Sequence, residues 1–428
     1  MNMKKLLLWD IPRIVFPLLV AVVIFGTAMQ DGLDLSVYWA GARELVTGGD
    51  LYAGGLPGTP YGGMAFTYPP FAAALMAPLA FLPLNAALIF QTMGNLMLAG
   101  VSGWLIARYL TAKRVLSGSV DSKRLWITVA CITGLLLLLG PWRNSLALGQ
   151  INPLLMALIA VDLLISTKRH PKGLLPRGVL TGIAAGIKLT PLVFMLYFVV
   201  RGDLKGTVRM LATFAGTAIL MALLAPTLSR QYWLVSLSDT SRVGNLARFE
   251  NISIRGFLAR LELDPSAASA IWICAALVVT ALGARAVYTS RKLSDPWGGV
   301  AATALVMLLV SPVSWGHHWV WVAICIAAVL GRAAETLPAP RKWRLLLASP
   351  AGALCLLLVA GFALQPVEAA KAAGSPNPYS SISMLSEMAA QSGLFAAVLA
   401  LIWFCRYRPT SAPEALVAER QQGVPDNT

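Results

Sequence analysis

Charged residues are scarce in this chain of 428 residues, of which only 12% are Asp, Glu, Lys or Arg. A soluble domain usually contains about 25%. Hydrophobic residues make up 57% of the chain, and its mean hydropathy is +0.70. Apolar stretches of about 18 residues or more recur along the whole length, as they do in transmembrane helices. The composition therefore predicts an all-α polytopic membrane protein.

The sequence also lacks the motifs of enzymes that use soluble nucleotide donors. It contains no P-loop, Rossmann fingerprint, HExxH or kinase signature. The five cysteines all lie in apolar runs, so their spacing predicts neither disulfides nor a zinc site. The formal net charge is +15. Because the basic residues lie at the ends of apolar segments, we attribute this charge to membrane topology and not to nucleic-acid binding.

The basic residues predict about twelve membrane segments with both chain ends in the cytoplasm. The first segment, residues 11–29, follows Lys4 and Lys5. We interpret it as a retained helix and not a cleaved signal peptide, because the apolar run is long and no clear cleavage site follows it. Gly178–Val200 has basic residues on both sides. A hairpin of two short helices with its turn near Lys188 is therefore predicted.

These segments predict one transmembrane domain over residues 1–408 and a polar, disordered cytoplasmic tail over residues 409–428. Two longer stretches, residues 31–83 and 227–266, are predicted to be large extracytoplasmic loops. Within the first loop, Phe71–Leu82 is too short and too rich in proline at its ends to span a membrane, so it predicts a half-inserted segment. The chain has no internal repeat, which disfavours a transporter.

The first predicted loop contains unusually many acidic residues for this chain. Asp34 lies among apolar and aromatic residues, and it precedes a predicted amphipathic helix over Leu35–Val46 that would lie in the membrane interface. Its carboxylate could be a catalytic base. It could instead cap the helix or simply be solvated. Asp31 is a weaker alternative for the same catalytic role.

Two further polar groups lie at predicted outer ends of helices. Arg143, Gln150 and Asn152 lie in or beside a short loop. They could bind a sugar or a lipid head group, or they could be ordinary loop residues. His317 and His318 are adjacent and could contact a phosphate or transfer a proton. Neighbouring residues on a helix point about 100° apart, so a metal-binding pair is disfavoured.

Lys188 is an ionisable residue at the turn of the predicted hairpin. Such residues within a membrane are functional candidates, and a lipid phosphate is one possible partner. The alternative is structural, because a cation can cap a helix C-terminus. A transporter of lipid-linked sugars would place polar residues along the interior of the bundle. Only Asp162 and Lys188 fit that pattern.

Two motifs, Asp34-Leu-Ser-Val-Tyr38 and Phe66-Thr-Tyr68-Pro-Pro70-Phe71, resemble a known family. This family comprises the actinobacterial polyprenol-phosphate-mannose-dependent mannosyltransferases of glycosyltransferase family 87, in the GT-C superfamily. Further similar motifs follow in order: Gly149-Gln150-Ile-Asn152-Pro153, Gly186-Ile-Lys188-Leu-Thr-Pro191, Asn251-Ile-Ser253-Ile-Arg-Gly256 and Ser311-Pro-Val-Ser314-Trp-Gly-His317-His318-Trp319. Ile252 departs from the family pattern, which has Gln there. The order of the motifs makes the set more specific than any one of them.

The resemblance implies a GT-C transmembrane helical bundle in the plasma membrane, with its active site on the extracytoplasmic side. It implies inverting transfer of mannose from polyprenyl-phosphate-mannose, without a metal or other cofactor. The acceptor would be a mannosylated glycolipid, namely a phosphatidylinositol mannoside, lipomannan or lipoarabinomannan, and the linkage α-1,2. The alternatives are a polyprenyl-phosphate-arabinose-dependent arabinofuranosyltransferase, which the histidine pair disfavours, and a lipid-linked sugar transporter.

The resemblance also implies a role for each matching residue. Asp34 would be the general base, a contribution typically worth about 10²–10⁴-fold. His317 and His318 would be catalytic beside the phosphate, where cationic donors stabilise the leaving group. The residues expected to bind donor or acceptor are Tyr38, Tyr68, Arg143, Gln150, Asn152, Lys188, Asn251, Ser253 and Ser314.

Overall fold

A computed structural model describes residues 26, 32–60, 63–116, 122–165, 175–261, 263–337, 342–363 and 384–406. These residues form helices and loops without a β-strand, and two isolated bridges join Leu56 to Met64 and Asn251 to Trp315. The all-α class is therefore confirmed for this part of the chain. The predicted first helix, apart from Gly26, and the predicted tail lie outside the described residues.

The structure contains α-helices and several shorter helical turns. In chain order, the α-helices are α1 (Leu33–Thr47), α2 (Pro70–Met76), α3 (Leu84–Ala112), α4 (Ser122–Leu138), α5 (Gly140–Ala147), α6 (Asn152–Leu164), α7 (Val179–Ile187), α8 (Met195–Arg201), α9 (Leu204–Leu224), α10 (Pro226–Gln231), α11 (Ile254–Ala259), α12 (Pro265–Lys292), α13 (Pro296–Val310), α14 (Val322–Ala334), α15 (Lys342–Leu347), α16 (Pro350–Ala363), α17 (Met384–Ala390) and α18 (Ser392–Phe404). The 3₁₀ helices are Ala77–Phe81, Thr190–Phe194, Thr240–Val243 and Gly316–Trp321, and Tyr232–Ser236 is a π-helix.

Four helices in the described residues are long and apolar enough to cross a membrane: Leu84–Ala112, Leu204–Leu224, Pro265–Lys292 and Gly316–Ala334. A fifth span results if Arg124–Leu138 and Gly140–Ala147, which are bent by 77°, are counted together. Several other predicted segments form apolar helices of 10–17 residues. At 1.5 Å per residue these are shorter than a hydrocarbon core of about 30 Å. The predicted number of about twelve segments is therefore not confirmed.

The helix break predicted near Lys188 is present, and the return of the chain as a hairpin stays a prediction. Helix α7 ends before Lys188, whose backbone is extended, and the chain resumes as the 3₁₀ helix Thr190–Phe194. Pro191 favours this restart because a helix's first turn needs no N–H donor from it. Gly182 and Gly186 let α7 pack directly on α9, where an added Cβ would collide with its neighbours. The break leaves Lys188 at the turn, between packed helices.

Helix α13 lies at the centre of the bundle, with Trp297 to Leu309 all buried. A helix that is apolar on every side is expected in such a position. Its two ends define two polar regions. At the Asp295 end, the Asp295 carboxylate pairs with Arg332, where α14 ends. At the His318 end, α13 leads through Ser311 into the 3₁₀ helix Gly316–Trp321 that carries both adjacent histidines.

Helix α1 confirms the helix predicted over Leu35–Val46, which in fact begins at Leu33 and ends at Thr47. Leu35 to Tyr38 and Ala40 to Ala42 are buried. The backbone N–H of Leu35 donates to Leu148 O at 3.0 Å, which joins the start of α1 to the loop before α6. This contact brings the predicted catalytic loop to the His318 end of the bundle.

Candidate active site

Asp34 lies in the first turn of α1, and its carboxylate does not cap that helix. The N-cap residue is Gly32, and no side-chain hydrogen bond caps the helix there. The Oδ2 atom of Asp34 is buried and has no hydrogen-bond partner among the described residues. Burial raises the pKa of Asp34 above its ordinary value, although a hydrogen bond from Gln150 and the charge of Lys188 oppose this shift. An open oxygen with a raised pKa is suited to accepting a proton.

Gln150 connects Asp34 to the rest of the polar group. Its Oε1 accepts hydrogen bonds from the Tyr38 hydroxyl at 3.1 Å and from Asn152 Nδ2 at 2.8 Å. Its backbone oxygen accepts from Asn95 Nδ2 at 3.0 Å. Gly149, with φ of +66°, allows the tight turn that leads into Gln150. Hydrogen bonds to both the side chain and the backbone of Gln150 therefore fix the loop before α6.

Lys188 lies at the other end of this hydrogen-bonded chain. Its Nζ is 3.3 Å from Asn152 Oδ1 and 3.0 Å from His318 Nε2. The same atom lies 5.4 Å from the centroid of the Tyr68 ring, a cation–π contact. The Tyr68 hydroxyl is in turn 3.0 Å from that of Tyr38. Lys188 therefore points to side chains of three other segments, which favours the site interpretation over a helix cap.

The two histidines have different environments. The His318 ring faces Lys188, whereas the buried His317 ring packs edge-to-face against it with centroids 4.8 Å apart. The backbone oxygen of His317 accepts hydrogen bonds from Ser145 Oγ at 3.3 Å and Asn152 Nδ2 at 3.4 Å. The His318 ring therefore lies directly beside Lys188, and the His317 backbone helps to fix the turn. Catalytic contact of either histidine stays a prediction.

A small cavity of about 20 Å³ opens beside Lys188 and His318. Its wall also includes Asn152, Ser311, Ser314 and Trp321. A cavity of about this size holds one water molecule. A phosphate group is larger, so binding of a phosphorylated ligand here requires the surrounding side chains to separate.

The side chains of three predicted binding residues form hydrogen bonds with backbone atoms near the histidines. Asn251 Oδ1 accepts from Ser314 N at 2.9 Å, and its Nδ2 donates to Pro312 O at 3.1 Å. Ser253 Oγ donates to the same Pro312 oxygen at 3.1 Å, and Ser314 Oγ donates to Leu308 O at 2.7 Å. These contacts hold the segment before the histidines. Contact of the three side chains with substrate stays a prediction.

Arg143 is the predicted residue that the described contacts do not connect to this group. Its guanidinium is exposed and donates to the backbone oxygens of Leu138 and Ala363. Asp31, the weaker candidate base, lies outside the described residues. No cluster of three or more His, Cys, Asp or Glu that could hold a metal occurs in the part of the chain that the structure describes. The expectation of a metal-free reaction stays a prediction.

Two polar residues of the site were missed from the sequence. Asn95 and Ser145 are both fully buried, and they support Gln150 and His317 respectively. Asn95 could have been recognised from the sequence, because an amide within a long apolar helix is costly unless it has hydrogen-bond partners. Ser145 could not, because a small hydroxyl residue is common in loops.

The architecture and site define a membrane-embedded helical protein that gathers a carboxylate, a lysine and a histidine at one end of its bundle. Comparison with known protein families identifies the class more narrowly. The chain belongs to glycosyltransferase family 87, whose model matches residues 66–312. The predicted resemblance is therefore confirmed.

Proteins similar to this chain occur in mycobacteria. The chain is 37% identical over 306 residues to a polyprenol-phosphate-mannose-dependent alpha-(1-2)-phosphatidylinositol mannoside mannosyltransferase of Mycobacterium tuberculosis, with 70% of each chain covered. It is 35% identical over 312 residues to the protein of the same description in Mycolicibacterium smegmatis, again with 70% of each covered. It is 31% identical over 318 residues to an M. tuberculosis alpha-(1-2)-phosphatidylinositol pentamannoside mannosyltransferase that depends on the same donor, covering 72% of this chain and 68% of that one. No solved structure matches the chain.

Proposed function

We propose that this protein transfers mannose from polyprenyl-phosphate-mannose to a hydroxyl of a mannosylated phosphatidylinositol glycolipid, with inversion and formation of an α-1,2 linkage. Family membership and the activities named for the relatives support this function. The observation that carries it is the connected group at the His318 end. There, a carboxylate with an open oxygen lies beside Gln150, and Gln150 is hydrogen-bonded through Asn152 to a lysine–histidine pair.

Lys188 and His318 are proposed to bind the phosphate of the donor. An ammonium group has three donors, of which two are directed at Asn152 and His318. The third has no hydrogen-bond partner among the described residues, so it can contact a phosphate oxygen as negative charge develops on the leaving group. Because polyprenyl phosphate is already a good leaving group, this charge stabilisation matters more than a strong acid.

Asp34 is proposed to accept the proton of the acceptor hydroxyl. The acceptor oxygen forms a bond to the anomeric carbon, the bond to the phosphate oxygen breaks, and the hydroxyl proton passes to the Asp34 carboxylate. Inversion by a single displacement requires the base and the leaving group on opposite faces of the sugar. The Tyr38, Gln150 and Asn152 side chains lie between Asp34 and Lys188 and are the groups proposed to contact the mannose ring.

The proposal also includes the topology. We place the His318 end on the extracytoplasmic side of the plasma membrane, with both chain ends in the cytoplasm and about twelve membrane segments. The distribution of basic residues supports this orientation. Arg332, for example, lies at the opposite end of α14 from the histidines. A lipid-linked donor suits an extracytoplasmic site, because its sugar needs no soluble nucleotide.

The function is tested with purified protein in lipid nanodiscs, radiolabelled polyprenyl-phosphate-mannose and phosphatidylinositol mannoside acceptors. The wild type is expected to release polyprenyl phosphate and to form a product sensitive to an α-1,2-mannosidase. Asp34→Asn is expected to lose this activity while remaining folded. Asp50→Asn, in the same loop, is the matched control and is expected to retain it. Product from an arabinosyl donor alone would contradict the proposed donor, and no product from either donor would contradict the enzyme assignment.

A further inference from the structure

A buried ion pair lies beyond the residues proposed to contact substrate. Arg260 Nε donates to Glu387 Oε1 at 2.6 Å, and the two side chains are only 7% and 5% exposed. Arg260 directly follows α11, whereas Glu387 belongs to α17, 127 residues further along the chain. Burying two charges carries a large desolvation cost, so such a pair is weak evidence for stability alone. The other hydrogen bonds of this ion pair show which part of the backbone it contacts.

The pair and its neighbour Gln391 hold one short backbone segment, residues 248–251. Arg260 Nη1 donates to the oxygen of Arg248 at 2.8 Å and to that of Asn251 at 3.4 Å. Gln391 is fully buried, and its Nε2 donates to the oxygen of Phe249 at 3.3 Å. The backbone N–H of Gln391 donates to Glu387 O at 2.9 Å. Three carbonyl oxygens of this segment are thus fixed by groups that depend on α17 and its end.

Asn251, at the end of this segment, and the next residue, Ile252, contact the backbone that leads into the histidines. Ile252 N donates to Ser314 O at 2.9 Å, and Asn251 forms an isolated bridge with Trp315. The oxygen of Trp315 then accepts from the backbone N–H of His318 at 2.7 Å. Each of these contacts is a direct hydrogen bond or bridge, so a displacement of residues 248–251 is transmitted to the turn that carries His318.

We infer that Arg260 and Glu387 are a positioning pair, which fixes the His318 turn against Lys188 without touching the substrate. The inference rests on the proposed function, since it concerns the group proposed to bind the donor phosphate. It gives this buried charged pair a role other than stability. Only a planar guanidinium can bind a carboxylate through one nitrogen and carbonyl oxygens through another.

The test replaces both charges with apolar side chains. Exchange of a buried ion pair for packed apolar residues often preserves stability, whereas removal of one partner alone does not. The Arg260→Met/Glu387→Leu double variant is expected to keep the wild-type melting temperature and donor KM. Its kcat is expected to fall by about 10²-fold, the loss that a displacement near 1 Å can cause. A wild-type kcat in a folded double variant would overturn the inference.

The molecule contains a matched control. Arg332 and Asp295 form a second buried pair, 9% and 3% exposed, in which Arg332 Nη2 lies 2.9 Å from Asp295 Oδ2. Arg332 also donates to a backbone oxygen, that of Phe404, at 3.0 Å. This pair lies at the opposite end of α13 and α14. Arg332→Met/Asp295→Leu is therefore expected to leave kcat unchanged, and an equal loss in both double variants would overturn a specific positioning role.

A second readout does not depend on catalysis. Diethyl pyrocarbonate labelling of the peptide containing His317 and His318, measured by mass spectrometry without substrate, is expected to accelerate severalfold in the Arg260→Met/Glu387→Leu protein. It is expected to stay unchanged in the control protein. If the wild type transfers no mannose, the proposed function fails, yet faster labelling still supports the positioning pair. Unchanged labelling overturns it.

If the double variant does not fold, a conservative variant tests the positioning role of the pair instead. In Arg260→Lys, the ammonium can still pair with Glu387, but it lacks the second arm that reaches the carbonyl oxygens. A lower kcat at the wild-type melting temperature supports the inference. An unchanged kcat, with unchanged labelling of the histidine peptide, overturns it.

Discussion

Two aspartates of the described residues, Asp162 and Asp34, are used in different ways. Asp162, 6% exposed, has both carboxylate oxygens occupied at the start of α7. They accept from Gly178 N, from Thr181 N at 3.0 Å and from Thr181 Oγ1 at 2.6 Å. Asp34 has a buried oxygen without a hydrogen-bond partner among the described residues. A saturated carboxylate is a structural link between helices, whereas an open one can accept a proton.

This comparison also bears on the transporter alternative. Asp162 and Lys188 were the two interior polar residues that fitted a transport path. The contacts of Asp162 tie α6 to the N-terminus of α7, where a negative charge is favourable. Lys188 belongs to the group at the His318 end. Neither contact pattern traces a polar path through the bundle.

The largest expected effect is that of Asp34→Asn on catalysis. Loss of the base should lower kcat by about 10²–10⁴-fold. Burial raises the pKa of Asp34, so the ionised carboxylate costs stability as pH rises through that pKa. The melting temperature of Asp34→Asn at neutral pH is therefore expected to match or exceed that of the wild type. A folded variant with wild-type turnover would contradict the assignment of the base.

Replacement of Lys188 should have the next largest effect. Lys188→Met removes the cation beside His318 and should lower kcat/KM by about 10²–10³-fold, as loss of a group that stabilises developing charge does. Arg143→Met is the control, because the Arg143 guanidinium contacts backbone oxygens elsewhere. Kinetics with the purified proteins measure both. Equal losses in the two variants would argue against a specific phosphate contact of Lys188.

Asp162→Asn should act on stability and not on chemistry. The amide cannot reproduce all the hydrogen bonds that the carboxylate accepts, and loss of such charged hydrogen bonds costs about 1–3 kcal/mol. Thermal unfolding in detergent should show a lower melting temperature, while kcat per folded molecule stays at the wild-type value. A selective loss of kcat at an unchanged melting temperature would remove the distinction between the two aspartates.

Local features of the fold were predictable from the sequence. The spacing of Leu35, Tyr38 and Ala42 predicted α1 to within two residues of its start, because one face of a helix repeats at that spacing. Pro191 and its neighbours predicted the break at Lys188. Both signals are local, so neighbouring residues suffice to determine them. Neighbouring residues alone do not determine the number of membrane spans, because helices that pack inside a protein can be shorter than the bilayer is thick.

The contacts between distant segments were not predictable by spacing. The motifs suggested that Asn251 and Ser314 share a site, but not that they bind each other and backbone oxygens. Arg143 shares a loop with Gln150, yet its side chain contacts the end of α16. The Arg260–Glu387 pair joins residues with no shared motif. Such pairings follow from how helices pack, and composition and periodicity do not specify that packing.

The pH dependence of mannose transfer has the smallest expected effect, but it is the most specific test of the comparison between the two aspartates. A base must be deprotonated, so kcat/KM should fall as pH decreases through the pKa of Asp34. Because burial raises that pKa, the acid limb should lie above the value of about 3.9 for a free aspartate. A hydrogen bond from Gln150 opposes the rise, so Gln150→Leu should move the limb to still higher pH. Asp50→Asn should leave the limb in place, and a limb at or below the ordinary value would show that Asp34 is not the buried base.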